Sequence, residues 1–110
     1  MKIGFGRSGE QQAAKYLQKK GYKIITKNYR CKFGEIDIIA RDKNTVVFVE
    51  VKARSGARYG MGYESVRPDK QAKLVKTAQH FLAENGESPA RFDVVSIDDG
   101  DITHIENAFQ

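Results

Sequence analysis

Two adjacent stretches rich in β-branched residues constrain the fold of this 110-residue chain more than any other feature. Residues Glu35–Arg41 alternate apolar and polar side chains, and residues Val46–Arg54 are rich in valine. Such alternation and composition are typical of β-strands. The polar segment Asp42–Thr45 between them predicts a four-residue loop that sets Arg41 opposite Val46. The centre of the chain is therefore predicted to be an antiparallel hairpin.

Helix and strand patterns on both sides of the hairpin complete the predicted fold. A capping pattern with an apolar stripe indicates a first helix, and a second stripe follows a proline that suits a helix start. The predicted flanking elements are a helix over Gly9–Lys20, a strand over Tyr22–Tyr29, a helix from Pro68 to near Gly86, a strand over Arg91–Ile97 and a strand over Ile102–Ile105. This order, αβββαββ, predicts an α/β domain with a mixed central sheet flanked by helices.

Composition and length exclude several classes of protein. Apolar residues make up 40% and charged residues 30% of the chain, which is too apolar for a disordered protein. The longest apolar run, Val46–Val49, is far shorter than a membrane-spanning helix, and Met1–Gly9 shows no secretory signal. The single cysteine, Cys31, cannot form an internal disulfide and lacks zinc-ligand spacing. We therefore expect one cytoplasmic domain over residues 1–110.

Positive charge is concentrated near the N-terminus. Residues 1–32 contain nine Lys and Arg residues and a single acid, Glu10, which gives this segment a net charge of +8. The rest of the chain has ten bases and thirteen acids, a net charge of −3. Such asymmetry favours a polyanionic partner. Nucleic acid is favoured over an anionic membrane surface, so we expect no membrane partner.

The predicted register brings charged side chains of the hairpin together. It places Asp37 across from Glu50 and Glu35 across from Lys52, with facing Cβ atoms about 4.5–5.5 Å apart. Strand alternation assigns all four side chains to one face. The opposite face is predicted to be the core surface, formed by Ile36, Ile38, Val47, Val49 and Val51.

The pair Asp37 and Glu50 leaves two interpretations open. Two ionised carboxylates about 5 Å apart repel each other by roughly 3 kcal/mol at an effective dielectric constant near 20. Either Lys52 and Arg54 compensate this charge, as in a solvated ladder of charged residues, or a divalent cation lies between the acids. Carboxylate oxygens suit hard cations such as Mg²⁺ or Mn²⁺, which also accept phosphate oxygens. The second interpretation is the arrangement that phosphodiester hydrolysis requires.

Motifs along nearly the whole chain resemble those of one bacterial family. They are Gly6-Arg7-Ser8-Gly9-Glu10 with Ala13 and Ala14, Asn28-Tyr29-Arg30, Gly34-Glu35-Ile36-Asp37-Ile38-Ile39-Ala40, Val47-Phe48-Val49-Glu50-Val51-Lys52 with Arg54, Lys70-Gln71 with Leu74, Arg91-Phe92-Asp93-Val94-Val95, and Asn107-Ala108-Phe109. In this order they resemble the YraN family. That family looks like the PD-(D/E)XK nuclease superfamily, close to archaeal Holliday junction resolvases, and the resemblance implies a restriction-endonuclease-like core.

The resemblance also implies a metal site and its ligands. By motif, Asp37 matches the superfamily's acid, and Glu50 and Lys52 match its E-x-K pair. Asp37 and Glu50 would then bind Mg²⁺ or Mn²⁺, Lys52 would position the attacking water, and Glu10 matches the extra acid that resolvase-like members bring to the metal. Ile36 stands where the superfamily signature has proline, a position at which relatives vary.

Further residues are expected to act beside this site. Gln71, with Lys70 as the alternative, matches the polar position on the helix that follows the catalytic strands. We expect nucleic acid to be contacted by a set of cationic side chains, which are Arg7, Arg30, Arg54, Arg58 and Lys70. His80 and His104 lack metal-ligand spacing and are expected to be surface or helix-packing residues.

Three functions are compatible with these features. The leading one is a metal-dependent endonuclease that acts on phosphodiester bonds of nucleic acid, DNA rather than RNA, in structured or branched form. The alternative is a non-catalytic nucleic-acid-binding module with the same fold. A third is an adaptor that dimerises through the loop Ser55–Gly62, which is predicted to be mobile. A homodimer is also compatible with catalysis, because resolvase-like enzymes act as dimers on two-fold substrates.

Overall fold

The computed structural model describes residues 5–54 and 66–109, with side chains from residue 9 onwards. Its elements are α1 (Phe5–Lys19), β1 (Lys23–Cys31), β2 (Gly34–Asp42), β3 (Thr45–Arg54), α2 (Pro68–Asn85), β4 (Ala90–Asp98) and β5 (Asp101–Phe109). The predicted order αβββαββ is confirmed. Most element ends lie within two residues of their predicted positions, whereas α1 begins earlier, at Phe5, and β5 continues further, to Phe109.

The five strands form one sheet in the order β1-β2-β3-β4-β5. β3 and β4 run parallel, whereas the other neighbouring strands are antiparallel. A parallel pair needs a crossover connection, which here contains α2. The predicted mixed α/β sheet with flanking helices is thereby confirmed, and it is compatible with a nuclease-like core.

The β2–β3 hairpin has the predicted register but a shorter connection. Arg41 lies opposite Val46, as the alternation predicted. One further pair forms beyond it, so the predicted loop Asp42–Thr45 is reduced to the two residues Lys43 and Asn44. The predicted loop was too long because its end residues, Asp42 and Thr45, are polar and were assigned to the loop, although they form a strand pair.

The two helices cover opposite faces of the sheet. Side chains of α1 pack with Ile38, Val47 and Val49, which belong to the predicted core surface. Side chains of α2 pack with Ile39 and Phe48 on the other face. The sheet is therefore buried on both sides, and the charged residues of the hairpin lie at one end of the α2 face.

The alternation of β2 is interrupted at Asp37. Ile36 packs beneath α2, whereas Ile38, two residues later, packs beneath α1. The prediction that Ile36 shares a face with Ile38 is therefore wrong. At the same level of β1, Asn28 adopts the left-handed region with a φ of 56°, so both strands depart from regular pleating there. Asp37 thus lies at the irregular point of an otherwise regular strand.

Some predicted features lie outside the described residues. These are the loop Ser55–Gly62, which includes Arg58, and the side chain of Arg7. Over residues 5–54 and 66–109, none of the helices is both long enough and apolar enough to cross a membrane.

Candidate functional site

β2 and β3 stop pairing where the charged residues of the hairpin begin. Ile38 and Val49 form the last pair of their ladder. Beyond this pair, Asp37 Oδ2 accepts a hydrogen bond of 2.8 Å from the Val51 backbone N–H. The carboxylate of Asp37 thereby takes the place of a strand carbonyl as the partner of β3. The predicted cross-strand pair Asp37–Glu50 is absent from the ladder because the Asp37 side chain, and not its backbone, bonds to β3.

Glu35 also has a different partner from the predicted one. Its Oε1 atom lies 3.5 Å from Nε of Arg30, which faces it across β1 and β2. Lys52, the predicted partner, instead places its Nζ atom 3.4 Å from Oε2 of Glu50. The solvated ladder of alternating charges across the hairpin is therefore not formed as predicted.

Glu50 is the buried acid of this region, with 6% of its surface exposed. Its Oε2 atom accepts a hydrogen bond from Nζ of Lys70, which reaches it from the first turn of α2. The same oxygen also pairs with Lys52 of its own strand. A carboxylate this buried is stable only when it is paired and hydrogen-bonded. Two ammonium groups thus compensate one buried carboxylate.

Asp37 carries an unusual proton affinity for an aspartate. Burial and the neighbouring Glu50 carboxylate raise the pKa of Asp37 to about 7, although the hydrogen bond from the Val51 N–H opposes the change. Glu10 of α1 adds a smaller contribution in the same direction, and Lys70 opposes it. Strongly raised carboxylate pKa values are found where acids are placed to bind a cation or to transfer a proton.

The pKa values of Lys52 and Lys70 are shifted in opposite directions. Burial lowers the pKa of Lys52, and the nearby Lys70 ammonium lowers it further, against the attraction of Glu50. Burial would also lower the pKa of Lys70, but its hydrogen bond to Glu50 outweighs this effect and the pKa is raised. Lys70 is therefore the principal counter-ion of Glu50.

All these groups line one open cavity of about 400 Å³ beyond the end of the β2–β3 ladder. Its ionisable lining consists of three acids and three bases, which are Glu10, Asp37, Glu50, Lys52, Arg54 and Lys70. A second cavity, of about 210 Å³, shares Asp37, Glu50 and Lys70 with the first. A cavity of about 550 Å³ lies between β1 and the end of α2, and none of the predicted site residues lines it. The acids and bases singled out in the sequence therefore converge on the smaller cavities.

A close approach of α1 to β3 delivers Glu10 to this cavity. A Cβ atom added at Gly9 would lie only 2.7 Å from Cβ of Ala53, so only glycine allows the present packing. The next residue, Glu10, then lies beside the end of β3 and lines the cavity. α1 and α2, from opposite faces of the sheet, thus bring Glu10 and Lys70 to the same opening.

The other predicted residues occupy different places. Nε2 of Gln71 donates a hydrogen bond of 3.0 Å to the Val66 carbonyl, and Gln71 does not line either cavity at the site. Of the two alternatives on α2, the structure brings Lys70 to Glu50. Arg54 lines the cavity, and Arg30 is highly exposed beside Glu35.

The donor set fits a hard divalent cation that uses few protein ligands. Within the described residues, no group of three or more His, Cys, Asp or Glu side chains is placed to hold a metal ion. Asp37 and Glu50 nevertheless supply neighbouring carboxylates, the ligands that Mg²⁺ and Mn²⁺ prefer. Mg²⁺ usually binds through one or two carboxylates together with water and substrate phosphates. The residues present suit such a cation better than one enclosed by protein ligands.

A second cluster of buried charges was missed by the sequence analysis. Asp93 is fully buried, and its carboxylate binds Nε of Arg91 at 3.0 Å, Nε2 of His104 at 2.7 Å and the Asn107 N–H at 2.9 Å. The His104 side chain is 2% exposed and its ring packs edge-on against Tyr16 of α1, so it is a helix-packing residue, as one of the two expectations had it, and not a surface residue. An Arg-x-Asp pair within an otherwise apolar strand was the available signal, but its partners come from β5 and could not be identified from spacing.

Comparison with known proteins shows many relatives of this chain. A family model described as "Uncharacterised protein family UPF0102" matches residues 9–97. A UPF0102 protein of Thermodesulfovibrio yellowstonii is 50% identical over 109 residues, which cover 98% of this chain and 97% of the relative. UPF0102 proteins of a Sulfurihydrogenibium species and of Nitrosomonas europaea are 49% and 47% identical, each over 94% of this chain and 92% of the relative. The chain therefore belongs to the UPF0102 family, which is the YraN family that its motifs resemble.

Proposed function

We propose that this protein is a divalent-metal-dependent endonuclease that hydrolyses phosphodiester bonds in structured or branched DNA. One observation carries the proposal: two neighbouring carboxylates, Asp37 and Glu50, and the Lys52 ammonium line one open cavity at the end of the β2–β3 ladder. Carboxylates that bind a hard cation, next to an ammonium group, are the combination that phosphodiester hydrolysis uses.

The residues take distinct parts in this reaction. Asp37 and Glu50 hold Mg²⁺ or Mn²⁺, and Glu10 assists from α1. When bound, the cation stabilises the negative charge that develops on the phosphoryl oxygens. Lys52, held at Glu50 Oε2, orients the attacking water through Nζ. Gln71 acts as a positioning residue, because its hydrogen bond to the Val66 carbonyl fixes the first turn of α2, which carries Lys70.

A basic surface around the cavity supports a nucleic-acid substrate. Arg54 and Lys70 line the cavity itself, and Arg30 projects from the neighbouring hairpin with 75% of its side chain exposed. Cations in such positions bind the phosphate backbone through charge, without base specificity. We assign Arg7 and Arg58 to the same surface from the sequence. The enzyme would act in the cytoplasm, as a homodimer on two-fold substrates.

A non-catalytic nucleic-acid-binding module is the second candidate. It is favoured by the charge balance of the cavity, because Lys52 and Lys70 already compensate Glu50 without a metal ion. Such a module binds DNA with an affinity that falls as salt rises but shows no turnover that depends on divalent cations.

Cleavage of a four-way or flapped DNA in Mn²⁺ separates the two candidates. We expect wild-type protein to cut, and Lys52→Met to lower the rate by about 10²–10⁴-fold. Lys76→Met is the matched control, because it removes the same charge from an exposed position of α2 that lines neither cavity at the site, and it should retain the wild-type rate. Salt-sensitive binding with no cleavage supports the binding module. Equal cleavage by wild type and Lys52→Met would reject the catalytic assignment and indicate a contaminating nuclease.

A further inference from the structure

Lys70 binds the carboxylate of Glu50, one of the two acids proposed to bind the metal ion. Its Nζ atom donates a hydrogen bond to Oε2 of Glu50, and Lys52 pairs with the same oxygen. A divalent cation at Glu50 would share this carboxylate with two ammonium groups, whose positive charge repels it. Cation binding and the Lys70–Glu50 contact therefore compete for one group.

The two lysines differ in how easily they can leave Glu50. Lys52 lies two residues away on the same strand, and only 19% of its side chain is exposed. Lys70 belongs to the opposing helix, 43% of its side chain is exposed, and it lines both cavities. Lys70 can therefore move towards solvent or towards a ligand, whereas Lys52 is retained beside Glu50.

The charge balance of the cavity couples a cation to an anion. Its lining has three acids and three bases and is neutral when all six groups are ionised. A divalent cation adds two positive charges, and this excess is relieved when a phosphate binds or when Lys70 withdraws. A Lys70 ammonium released from Glu50 lies at the cavity mouth, where it can bind a phosphate oxygen.

We propose that Lys70 is an exchangeable counter-ion that holds Glu50 in the metal-free protein and transfers to a substrate phosphate when a divalent cation takes its place. The proposal rests on the metal-dependent function proposed above. In this proposal Lys70 neutralises the Glu50 carboxylate in the metal-free protein and links metal binding to nucleic-acid binding. Loss of Lys70 should therefore strengthen metal binding in the absence of DNA.

Calorimetric titration with Mn²⁺ in the absence of DNA tests the exchange directly. We expect Lys70→Met and Lys70→Gln to bind Mn²⁺ about tenfold more tightly than wild type, because a competing cation has been removed. Lys76→Met is the matched control, because it removes the same charge from an exposed position of α2 that lines neither cavity at the site, and it should retain the wild-type affinity. Thermal melts of the same samples provide a second readout, and Mn²⁺ should raise the Tm of Lys70→Met more than that of wild type.

The outcomes separate this inference from the proposed function. If wild type binds Mn²⁺ and cuts DNA while both Lys70 variants bind Mn²⁺ no more tightly, the exchange is wrong and the nuclease stands. If neither wild type nor the Lys70 variants bind Mn²⁺, both proposals are overturned. If Lys76→Met gains as much affinity as Lys70→Met, the gain reflects the net charge of the surface and the specific exchange is rejected.

Discussion

Glu50 and Asp93 lie one register step apart on neighbouring strands, yet their surroundings differ in kind. Glu50 faces α2, and one of its oxygens is shared by two lysines at an open cavity. Asp93, opposite Val49, is fully buried, and its carboxylate is bound by side chains and backbone of β4 and β5. The same sheet therefore carries one closed and one open arrangement of buried acid.

Proton affinities express the same difference. Burial alone would raise the pKa of Asp93, but hydrogen bonds from His104, Arg91 and the Asn107 N–H outweigh it and hold the pKa below its usual value. For Asp37, burial and the neighbouring Glu50 carboxylate outweigh the hydrogen bond from the Val51 N–H and the attraction of Lys70, and the pKa is raised to about 7. An acid whose partners are all fixed supports the fold, whereas Asp37 keeps a raised pKa beside an open cavity, the environment found at acids that bind cations or transfer protons.

Removal of the Asp37 charge should have the largest effect on activity and little effect on folding. Asn at this position can still accept the hydrogen bond from the Val51 N–H, while its repulsion with Glu50 disappears. We expect Asp37→Asn to lower Mn²⁺-dependent cleavage by about 10³-fold, a typical scale for the loss of a principal catalytic charge. Its unfolding free energy should equal or exceed that of wild type. A large decrease in the unfolding free energy of Asp37→Asn would show that Asp37 supports the fold, as Asp93 does.

The equivalent change at Asp93 should have the opposite effect, a large loss of stability with no loss of metal binding. Asp93→Asn removes the charge that pairs with Arg91 and His104 in a fully buried position. Loss of one partner from a buried ion pair costs about 3–5 kcal/mol. Urea unfolding should show this loss, while Mn²⁺ affinity of the folded fraction stays at the wild-type value. A change in unfolding free energy below about 1 kcal/mol would show that the network is not a structural element.

The pH dependence of stability gives a smaller effect of known sign. Because the folded-state pKa of Asp93 lies below its unfolded value of about 3.9, its contribution to stability is present above that pH and is lost as the pH falls through the folded-state pKa. The difference in unfolding free energy between wild type and Asp93→Asn should therefore narrow below about pH 4. Unfolding curves at neutral pH and near pH 3 measure it. An unchanged difference would reject the lowered pKa.

Salt dependence of DNA binding should distinguish the two regions least strongly. Arg54 lines the open cavity, whereas Lys20 is bound to His104 Nδ1 at 2.9 Å and to Glu106 at 3.5 Å beside the Asp93 network. We expect Arg54→Ala to reduce the slope of log affinity against log salt by about one. Lys20→Ala should leave the slope unchanged. Equal changes in both variants would mean that the whole basic surface, and not the cavity, binds DNA.

Local patterns were sufficient to predict the elements and the strand register. Alternation and turn chemistry predicted the β2–β3 hairpin with Arg41 opposite Val46, and the apolar stripe after Pro68 predicted α2. These features depend on residues that are close together in the sequence, and they can therefore be predicted from local patterns. Asp37 and Glu50 line one cavity, as expected, although the ladder ends before the cross-strand pair that the register predicted.

Tertiary details were not accessible in the same way. The alternation of β2 breaks at Asp37, level with the left-handed Asn28 of β1, and period-two reasoning therefore misplaced Ile36. Lys70 and Gln71 are both polar, and only the rotation of α2 relative to the sheet determines that Lys70 reaches Glu50. His104 lies on the edge strand β5, and its partner Asp93 lies eleven residues earlier on β4. Spacing along the chain did not indicate this contact.

Calorimetric titration of Mn²⁺ into wild type, Asp37→Asn and Glu50→Gln tests the central claim that the open acid pair is a cation site. Both variants keep side chains that can form hydrogen bonds, and each removes one charge. The account predicts that wild type binds Mn²⁺ and that binding is lost in both variants, while Asp93→Asn retains it. Mn²⁺ binding that survives in Asp37→Asn and Glu50→Gln, or no binding by wild type, would contradict the account.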